Sequence, residues 1–236
     1  MSNNYFKFKQ FTIEQDGCAM KVGTDGCLLG AWFDAKERKN ILDAGTGSGL
    51  IAIMAAQRSK AKVTGIEIDL TAAAKAKENV KNSPWSERIE IINGDFLTHE
   101  PTTLYDCIVS NPPYFNNSLK CNNEQRTLAR HNDSLTPEAF FTHTKEILST
   151  NGSISLIIPD DVFELWEKEA IFKGFSTHRI TFVRTTPRKK AKRILVEFGR
   201  EACTSPKTEE LILEDHPGEY SEKAKNLLRD FYLKIV

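Results

Sequence analysis

A short apolar strand that runs into a glycine-rich loop and then into a helix constrains the fold of this chain most strongly. The strand is predicted at residues 41–44, the glycine loop at residues 45–49 and the helix at residues 50–59. This order opens a nucleotide-type β-α-β unit. Gly45 and Gly47 carry no Cβ, so a ligand can approach the backbone closely. The sequence therefore predicts a parallel α/β sheet with a ligand beyond the carboxyl end of this strand.

The spacing within the glycine loop argues against two common phosphate sites. The pattern is G-x-G-x-G, which differs from the G-x-G-x-x-G of pyrophosphate loops and from the G-x-x-x-x-G-K-[ST] of P-loops. Asp43 stands just before the loop, where a carboxylate would repel a pyrophosphate and attract a cationic ligand. The predicted ligand is therefore one that carries a positive charge.

An acidic residue lies near the end of the next predicted strand, residues 62–68. Glu67 at such a strand tip can accept hydrogen bonds from both hydroxyls of a ribose, each worth roughly 1.5–3 kcal/mol. Asp69 fits the N-cap of the following helix, residues 70–81, which leaves Glu67 for the ligand. The third predicted strand, residues 88–93, ends at Asp95 and Phe96. Asp95 could accept from the amino group of an adenine with Phe96 beside the ring, or it could be an ordinary turn aspartate.

The fourth predicted strand, residues 105–110, ends in Asn-Pro-Pro-Tyr-Phe at residues 111–115. Two prolines stop the strand and hold an extended turn. Asn111 offers a side-chain carbonyl, Pro112 a fixed main-chain carbonyl, and Tyr114 and Phe115 offer aromatic surfaces. Two acceptors beside a stacking ring suit a planar group that carries an NH2, such as adenine, cytosine, guanine or a glutamine side chain. The alternative is a simple strand stop followed by packing residues.

The N-terminal residues 1–34 are expected to form a cap on a main domain at residues 35–236. In the cap, the alternating residues 5–13 predict a strand, residues 18–22 a returning strand and residues 28–33 a short helix. In the main domain, a helix from Pro137 to about Ser149 precedes a fifth strand at residues 153–158. Residues 178–184 and 194–198 predict a closing hairpin.

The predicted hairpin carries six basic residues within ten positions and no acid between them. These residues are Arg184, Arg188, Lys189, Lys190, Lys192 and Arg193. A solvated hairpin tip is the alternative reading of such a run. The whole chain has 32 basic and 32 acidic side chains, so bulk charge gives no support to a nucleic-acid partner and only local clusters could.

Composition limits the class of protein further. The five cysteines are scattered without a C-x-x-C pair, which favours a reducing compartment over a zinc site or a disulfide framework. No apolar run approaches the roughly 18–20 residues that span a bilayer. The first residues lack the pattern of a signal peptide. A cytoplasmic protein without a membrane segment is expected.

Residues 43–49 and 111–114 together resemble the class I S-adenosylmethionine-dependent methyltransferases. The first segment looks like their cofactor loop, and Asn-Pro-Pro-Tyr looks like the catalytic motif of their amino-methylating branch. The resemblance implies a Rossmann-like sheet of seven strands, the last antiparallel, with helices on both faces. S-adenosylmethionine would be held by residues at the strand tips, namely Asp43, Gly45, Thr46, Gly47, Gly49, Glu67, Ile68, Asp95 and Phe96.

Two further segments narrow this resemblance. Residues 20–32 and Leu128-Ala129-Arg130-His131 are similar to the bacterial tRNA (adenine-N6)-methyltransferases that modify the purine 3′ of the anticodon in a valine tRNA. A monomeric cytoplasmic RNA enzyme that uses no metal is implied. Its catalytic residues would be Asn111, Pro112 and Tyr114. Contacts to an anticodon stem-loop are expected from Phe115, Arg126, Arg130, His131, Arg188, Lys189 and Lys190.

Three other readings remain open on the sequence. A protein-glutamine N5-methyltransferase shares Asn-Pro-Pro-Tyr, but that family usually carries a long helical N-terminal domain, whereas only about 40 residues precede the sheet here. An rRNA guanine-N2 methyltransferase shares Asn-Pro-Pro. An RNA-binding module that keeps a relic cofactor site is the alternative outside enzymes; the intact Asp43, Glu67 and Asn111 argue against it.

Overall fold

The computed structural model describes residues 4–16, 21–113 and 135–235. Tyr114, Phe115, Arg126, Arg130 and His131 lie outside these ranges. The helices are α1 (Thr24–Trp32), α2 (Leu50–Arg58), α3 (Leu70–Lys81), α4 (Pro137–Ile147), α5 (Phe163–Phe172) and α6 (Glu222–Leu228). The strands are β1 (Tyr5–Lys7), β2 (Thr12–Glu14), β3 (Asn40–Ala44), β4 (Lys62–Glu67), β5 (Ile89–Asn93), β6 (Tyr105–Ser110), β7 (Leu148–Pro159), β8 (Ser176–Arg184), β9 (Arg193–Gly199), β10 (Lys207–Ile212), β11 (Glu214–His216) and β12 (Glu219–Tyr220).

In the described part of the chain, eight strands form one sheet in the order β10-β8-β9-β7-β6-β3-β4-β5. Strand β9 is antiparallel to both of its neighbours, and every other pairing in this sheet is parallel. The predicted α/β class and the antiparallel seventh strand are confirmed. The carboxyl ends of β3, β4, β5, β6, β7 and β8 therefore lie on one edge, which we call the carboxyl edge.

The strand count differs from the expected seven because β10 adds an eighth strand beside β8. Its sequence, Lys-Thr-Glu-Glu-Leu-Ile, is highly charged, and Leu211 is its one buried residue. A strand at the edge of a sheet can expose most of its side chains, so the usual apolar alternation is absent.

Helices cover both faces of the sheet, as predicted. On one face α1, α2, α3 and α6 pack against the strands, and on the other face α4 and α5 do. Strands buried on both sides read as nearly continuous apolar runs, which is why the central strands were predictable. Helix α1 is buried along most of its length, and Gly30 admits Met54 because a Cβ there would lie 2.6 Å from the Met54 sulfur.

The N-terminal hairpin is tighter than predicted. One strand was expected over residues 5–13 and a returning strand over residues 18–22, but β1 and β2 pair with each other within residues 5–14. Residues 17–20 lie outside the described ranges. Phe8 donates its N–H to the Phe11 carbonyl at 2.8 Å, and the two rings stack with centroids 4.5 Å apart. Both rings are buried in the same core cluster as α1 and α2. The division into a cap and a main domain stays a prediction.

Candidate cofactor and substrate site

Four neighbouring strands bring the predicted cofactor and catalytic residues to the carboxyl edge. The glycine loop follows β3, Glu67 ends β4, Asp95 follows β5 and Asn111 follows β6. These strands are adjacent in the order β6-β3-β4-β5. Since neighbouring strands are about 4.8 Å apart, the four tips form a line of roughly 15 Å. That length suits one extended ligand with a substrate at one end.

The glycine loop is anchored to β4 and open toward solvent. The backbone N–H groups of Gly45 and Thr46 both donate to the Ile66 carbonyl at 2.9 Å. Gly45 and Gly47 have φ angles of 75° and 57°, in the left-handed region that favours glycine. A Cβ built on either residue meets no atom within 4 Å. The loop therefore offers a bare backbone surface where a ligand can lie close.

Asp43 lies beneath this loop and is 0% exposed. Its Oδ2 accepts hydrogen bonds from the Thr46 hydroxyl at 2.6 Å and the Ala52 N–H at 3.0 Å, whereas its buried Oδ1 has no hydrogen-bond partner. Burial raises the pKa of the Asp43 carboxyl to about 7, although the bonds from Thr46 and Ala52 lower it. A buried carboxylate oxygen without a partner is the feature that a cationic ligand group would satisfy.

Glu67 bridges the glycine loop and the start of α3. Its Oε2 accepts the Gly47 N–H at 2.9 Å, and its Oε1 accepts the Asp69 N–H at 3.0 Å. A carboxylate has about four acceptor positions, so both oxygens retain capacity for ligand hydroxyls. Asp69 caps α3 by accepting from the Ala72 N–H at 2.8 Å, which confirms its predicted cap role. Ile68 is 57% exposed and presents an apolar surface beside Glu67.

Asp95 and Phe96 are placed differently from each other. Asp95 is exposed, and its Oδ1 accepts the Leu97 N–H at 2.9 Å, so it makes the turn contact that was its alternative reading. Phe96 is buried, and its ring stacks on Phe140 with centroids 5.3 Å apart. The Phe96 ring therefore belongs to the core behind the site. The cofactor role of this pair stays a prediction.

A buried hydroxyl links the end of β6 to the end of β3, where the glycine loop begins. The Ser110 hydroxyl donates to the Ala44 carbonyl at 2.7 Å. This bond fixes the end of β6 against the end of β3, so Asn111 and the glycine loop emerge side by side. Pro112 is buried and Asn111 is half-buried. The two predicted acceptors, Asn111 and Pro112, therefore lie beside the glycine loop, directly after a strand end that is held in place.

The basic hairpin loop, residues 185–192, also lies on the carboxyl edge, because β8 is parallel to β7 and β9 returns between them. The Lys192 carbonyl accepts the Asp160 N–H at 3.3 Å, just after the end of β7. Two strands separate β8 from β6, so this loop lies roughly 10–14 Å from the tip of β6. The topology therefore puts this loop on the edge that also carries Asn111.

The six basic residues of this hairpin fall into two groups. Arg184 donates to the carbonyls of Lys189 and Pro187 and pairs with Glu210 at 2.7 Å, and Arg193 pairs with Asp25 at 2.7 Å. These two arginines brace the base of the loop. The other four, Arg188, Lys189, Lys190 and Lys192, are exposed, and no hydrogen bond or ion pair engages their side chains within the described residues.

Sequence reasoning missed two asparagines that support the site. Asn79 is 1% exposed; its Nδ2 donates to the carbonyls of Ser48 and Glu14, and its Oδ1 accepts the Glu14 N–H. It thereby ties α3 and β2 to the glycine loop. Asn93 donates to the carbonyls of Glu67 and Ile68. A signal existed for Asn79, since it lies three residues after buried Ala76 on the apolar face of α3.

Among residues 4–16, 21–113 and 135–235, no group of three or more His, Cys, Asp or Glu side chains could hold a metal ion. In the same ranges, each helix is too short or too polar to cross a bilayer.

Comparison with known proteins gives matches over the whole chain. The methyltransferase small domain family matches residues 18–179. The tRNA1(Val) (adenine(37)-N6)-methyltransferase of Bacteroides thetaiotaomicron is 45% identical over 240 residues that cover 100% of both chains. The protein of the same name in Trichodesmium erythraeum is 41% identical over 239 residues, with 99% of this chain and 100% of the relative covered.

Solved structures share the fold at lower identity. A protein described as a predicted O-methyltransferase from Agrobacterium tumefaciens superposes with a TM-score of 0.69 at 20% identity, over 88% of this chain and 96% of the other. The glycopeptide N-methyltransferase MtfA in complex with S-adenosylmethionine gives a TM-score of 0.57 at 12% identity, over 77% and 90% of the two chains. The architecture is that of class I methyltransferases.

Proposed function

Because this chain belongs to the tRNA1(Val) (adenine(37)-N6)-methyltransferase family, we propose that it methylates the exocyclic N6 of adenine 37 in a valine tRNA. The methyl donor is S-adenosylmethionine. The observation that carries the proposal is the meeting, at one edge, of a cofactor-type glycine loop with the Asn111-Pro112 acceptor pair, braced by the bond from Ser110 to Ala44. We further propose that the enzyme acts as a monomer in the cytoplasm.

The residues present fit the cofactor. The partnerless Oδ1 of Asp43 suits a cationic group, and the bare backbone at Gly45 and Gly47 leaves room for the amino-acid part of the ligand. Glu67 would accept the ribose hydroxyls, and exposed Ile68 would cover an adenine face. When bound, S-adenosylmethionine supplies an electrophilic methyl group on a sulfonium. The assignment of each contact to each residue is part of the proposal.

Asn111 and Pro112 would prepare the adenine. The Asn111 side-chain oxygen and the Pro112 carbonyl each accept one N6 hydrogen, so the nitrogen lone pair is drawn out of conjugation with the ring. The same two oxygens stabilise the positive charge that develops on N6, and such prearranged polar groups commonly contribute 10²–10³-fold to a rate. The bond from N6 to the methyl carbon would form as the bond from sulfur to that carbon breaks, which leaves S-adenosylhomocysteine, and the N6 proton would then pass to water, so no strong base is required. Tyr114, outside the described residues, is proposed to stack on the extruded base.

The basic hairpin loop would hold the RNA backbone. Arg188, Lys189 and Lys190 are exposed on the same edge as Asn111, which suits them to the phosphates of an anticodon stem-loop. Phosphate contacts of this kind position an RNA, and the pocket then selects the base. A protein with no net charge but with basic residues beside its site suits an RNA substrate that is positioned by its phosphates and selected by its base.

Transfer of a labelled methyl group tests the function. Purified enzyme would be incubated with labelled S-adenosylmethionine and, in separate reactions, unmodified bulk tRNA, rRNA and a release factor. We expect label in tRNA, recovered as N6-methyladenosine after digestion to nucleosides. Label in rRNA as methylguanosine, or in a release-factor glutamine, would contradict the proposed substrate. Tight tRNA binding with no transfer to any acceptor would contradict an enzyme.

A further inference from the structure

A basic concavity lies on the amino edge of the sheet, opposite the proposed active site. It surrounds the starts of β3 and β4 and the end of α2, and consists of two adjoining hollows of about 930 and 450 Å³ that share Lys36, Gln57 and Arg58. Eight of its fourteen lining residues are Lys or Arg, two are acidic and none is apolar. We propose that this amino-edge concavity binds the phosphate backbone of the tRNA body, outside the anticodon arm.

The lysines of this surface are available for phosphates. Lys36, Lys39, Lys60 and Lys62 are all exposed, and within the described ranges no ion pair or side-chain hydrogen bond engages their ammonium groups. The backbone brings two of them together, because the Lys62 N–H donates to the Lys39 carbonyl at 2.8 Å. The acids that line the concavity are fewer than its basic residues: Glu37 and Asp230 stand against eight Lys and Arg side chains. Asp106, close by, accepts the backbone N–H groups of Lys39 and Asn40.

The lysines rest on a braced scaffold. Arg58 donates to the carbonyls of Gly30 and Phe33, which fixes the end of α2 beneath them. In the turn that carries Lys36, Glu37 has a φ of 57°, a left-handed conformation that is unusual for a residue with a side chain. Strained turns of this kind persist where surrounding contacts hold them, often at functional sites. Here Asp34 holds the turn by accepting the Lys36 N–H at 3.1 Å.

The chemistry of the lining selects the type of ligand. Sites for small organic molecules are lined mostly by hydrophobic and aromatic residues, whereas every residue that lines this open surface is polar or charged. A row of exposed ammonium groups suits a polymer of phosphates, which gains affinity by releasing counterions. Strand β3 alone separates the two edges by roughly 17 Å, so an RNA bound at both must extend well beyond the loop that carries the reactive base. The inference rests on the proposed tRNA substrate.

Charge reversal tests the inference. The variant Lys36→Glu/Lys60→Glu changes two exposed loop residues outside the strands. The control Lys77→Glu/Lys168→Glu makes the same change in net charge at two exposed helix positions that do not line the concavity. For each protein, binding and methyl transfer would be measured with full-length valine tRNA and with its isolated anticodon stem-loop, over a range of salt concentrations.

For the concavity variant we expect KM for full-length tRNA to rise roughly tenfold, with kcat unchanged. The slope of log Kd against log salt concentration should fall by the amount expected for the loss of about two phosphate contacts. Its KM for the stem-loop should stay at the wild-type value, and the control should match the wild type on both RNAs. Equal values for variant and control would overturn the inference, as would an equal loss on tRNA and stem-loop. If the wild type itself methylates neither RNA, the proposed function is wrong.

Discussion

The glycine loop and the basic hairpin loop lie on the same edge of the sheet, but they are held in different ways. The glycine loop is bound to β4 along its length, through Gly45, Thr46 and the Glu67 side chain. The backbone of the hairpin loop is held by Arg184, which donates to the carbonyls of Pro187 and Lys189, and its base by Arg193, but its four exposed basic side chains make no such bonds within the described residues. A cofactor of fixed shape requires a fixed backbone, whereas an RNA backbone can be held by exposed charges that move with it.

Replacement of the proposed acceptor side chain should have the largest effect. For Asn111→Ala we expect kcat to fall by about 10³-fold, because one of the two groups that stabilise charge on N6 is removed. Binding of S-adenosylmethionine, measured by calorimetry, should stay within about twofold of the wild type, as expected for catalysis lost without binding. A large loss of cofactor affinity would place Asn111 in the cofactor site instead.

Charge reversal of the hairpin loop should weaken RNA binding and leave cofactor binding at the glycine loop unchanged. For Arg188→Glu/Lys189→Glu/Lys190→Glu we expect the Kd for tRNA to rise by roughly 30- to 100-fold at low salt and the salt slope to flatten by about three contacts. Calorimetry with S-adenosylmethionine should give the wild-type Kd. A matched control is Lys77→Glu/Lys81→Glu/Lys168→Glu on α3 and α5, and equal losses in both variants would remove the special role of the hairpin.

A methyl group added to the glycine loop should weaken cofactor binding and leave RNA binding unchanged. Gly47→Ala adds a Cβ at a left-handed position that faces open space, so it should weaken cofactor binding about tenfold by strain and by occupying ligand volume. Gly218→Ala is a matched control, since Gly218 has a φ of 80° and equally open surroundings in the β11–β12 turn. Fluorescence titration would compare them, and similar Kd values in both variants would contradict the placement of the ligand.

Ionisation of Asp43 should make cofactor binding depend on pH. The folded pKa of about 7 lies above the unfolded value of 3.8, so the ligand-free fold gains stability from a protonated Asp43 that is lost as pH rises from 3.8 to 7. Relative to the wild type, Asp43→Asn should therefore gain roughly 2–4 kcal/mol of unfolding free energy between pH 4 and 8. Urea unfolding across this range measures it.

The same ionisation should strengthen cofactor binding, because in the proposed site a cationic group of the ligand would pair with the Asp43 carboxylate. In the wild type the affinity for S-adenosylmethionine should rise severalfold between pH 6 and 8, and in Asp43→Asn this rise should vanish. Binding of the wild type that stays constant across this range would contradict a contact from Asp43 to a cationic group of the ligand.

The ion pair between Asp25 and Arg193 should give the smallest effect. The pair joins the start of α1 to the base of the hairpin loop, and both side chains are partly exposed. Such pairs contribute about 0.2–1 kcal/mol, so Asp25→Asn should weaken tRNA binding by less than about fivefold and leave cofactor binding unchanged. An equal loss of cofactor affinity would show that Asp25 does not act through the hairpin.

Much of the fold could be predicted because the central strands have strong local signals. Strands β3, β4, β5 and β6 are apolar runs that end at glycine, acidic or proline residues, and the structure places them within one residue of the predicted bounds. The turn between Phe8 and Phe11 was missed because Lys9 and Gln10 are not turn-type residues, and its stability comes from aromatic packing. Strand β10 was missed because its charges are tolerated only at an edge.

The site residues at the ends of the strands could be predicted, but the contacts that hold them in position could not. Asp43 and Glu67 lie at the ends of their strands and Asn111 directly follows its strand, so topology alone brings them together. The bond from Ser110 to Ala44 joins residues 66 positions apart, and no local pattern announces it. The amino-edge concavity was missed for the same reason, since Lys39 and Lys62 become neighbours only through the pairing of β3 with β4.

Methylation of two valine tRNA transcripts that differ only at position 37 tests whether N6 of adenine 37 accepts the methyl group. One transcript carries adenine at this position and the other guanine, and each is incubated with the enzyme and labelled S-adenosylmethionine. We expect N6-methyladenosine in the adenine transcript and no label in the guanine transcript. Equal label in both transcripts, or none in either, would contradict it.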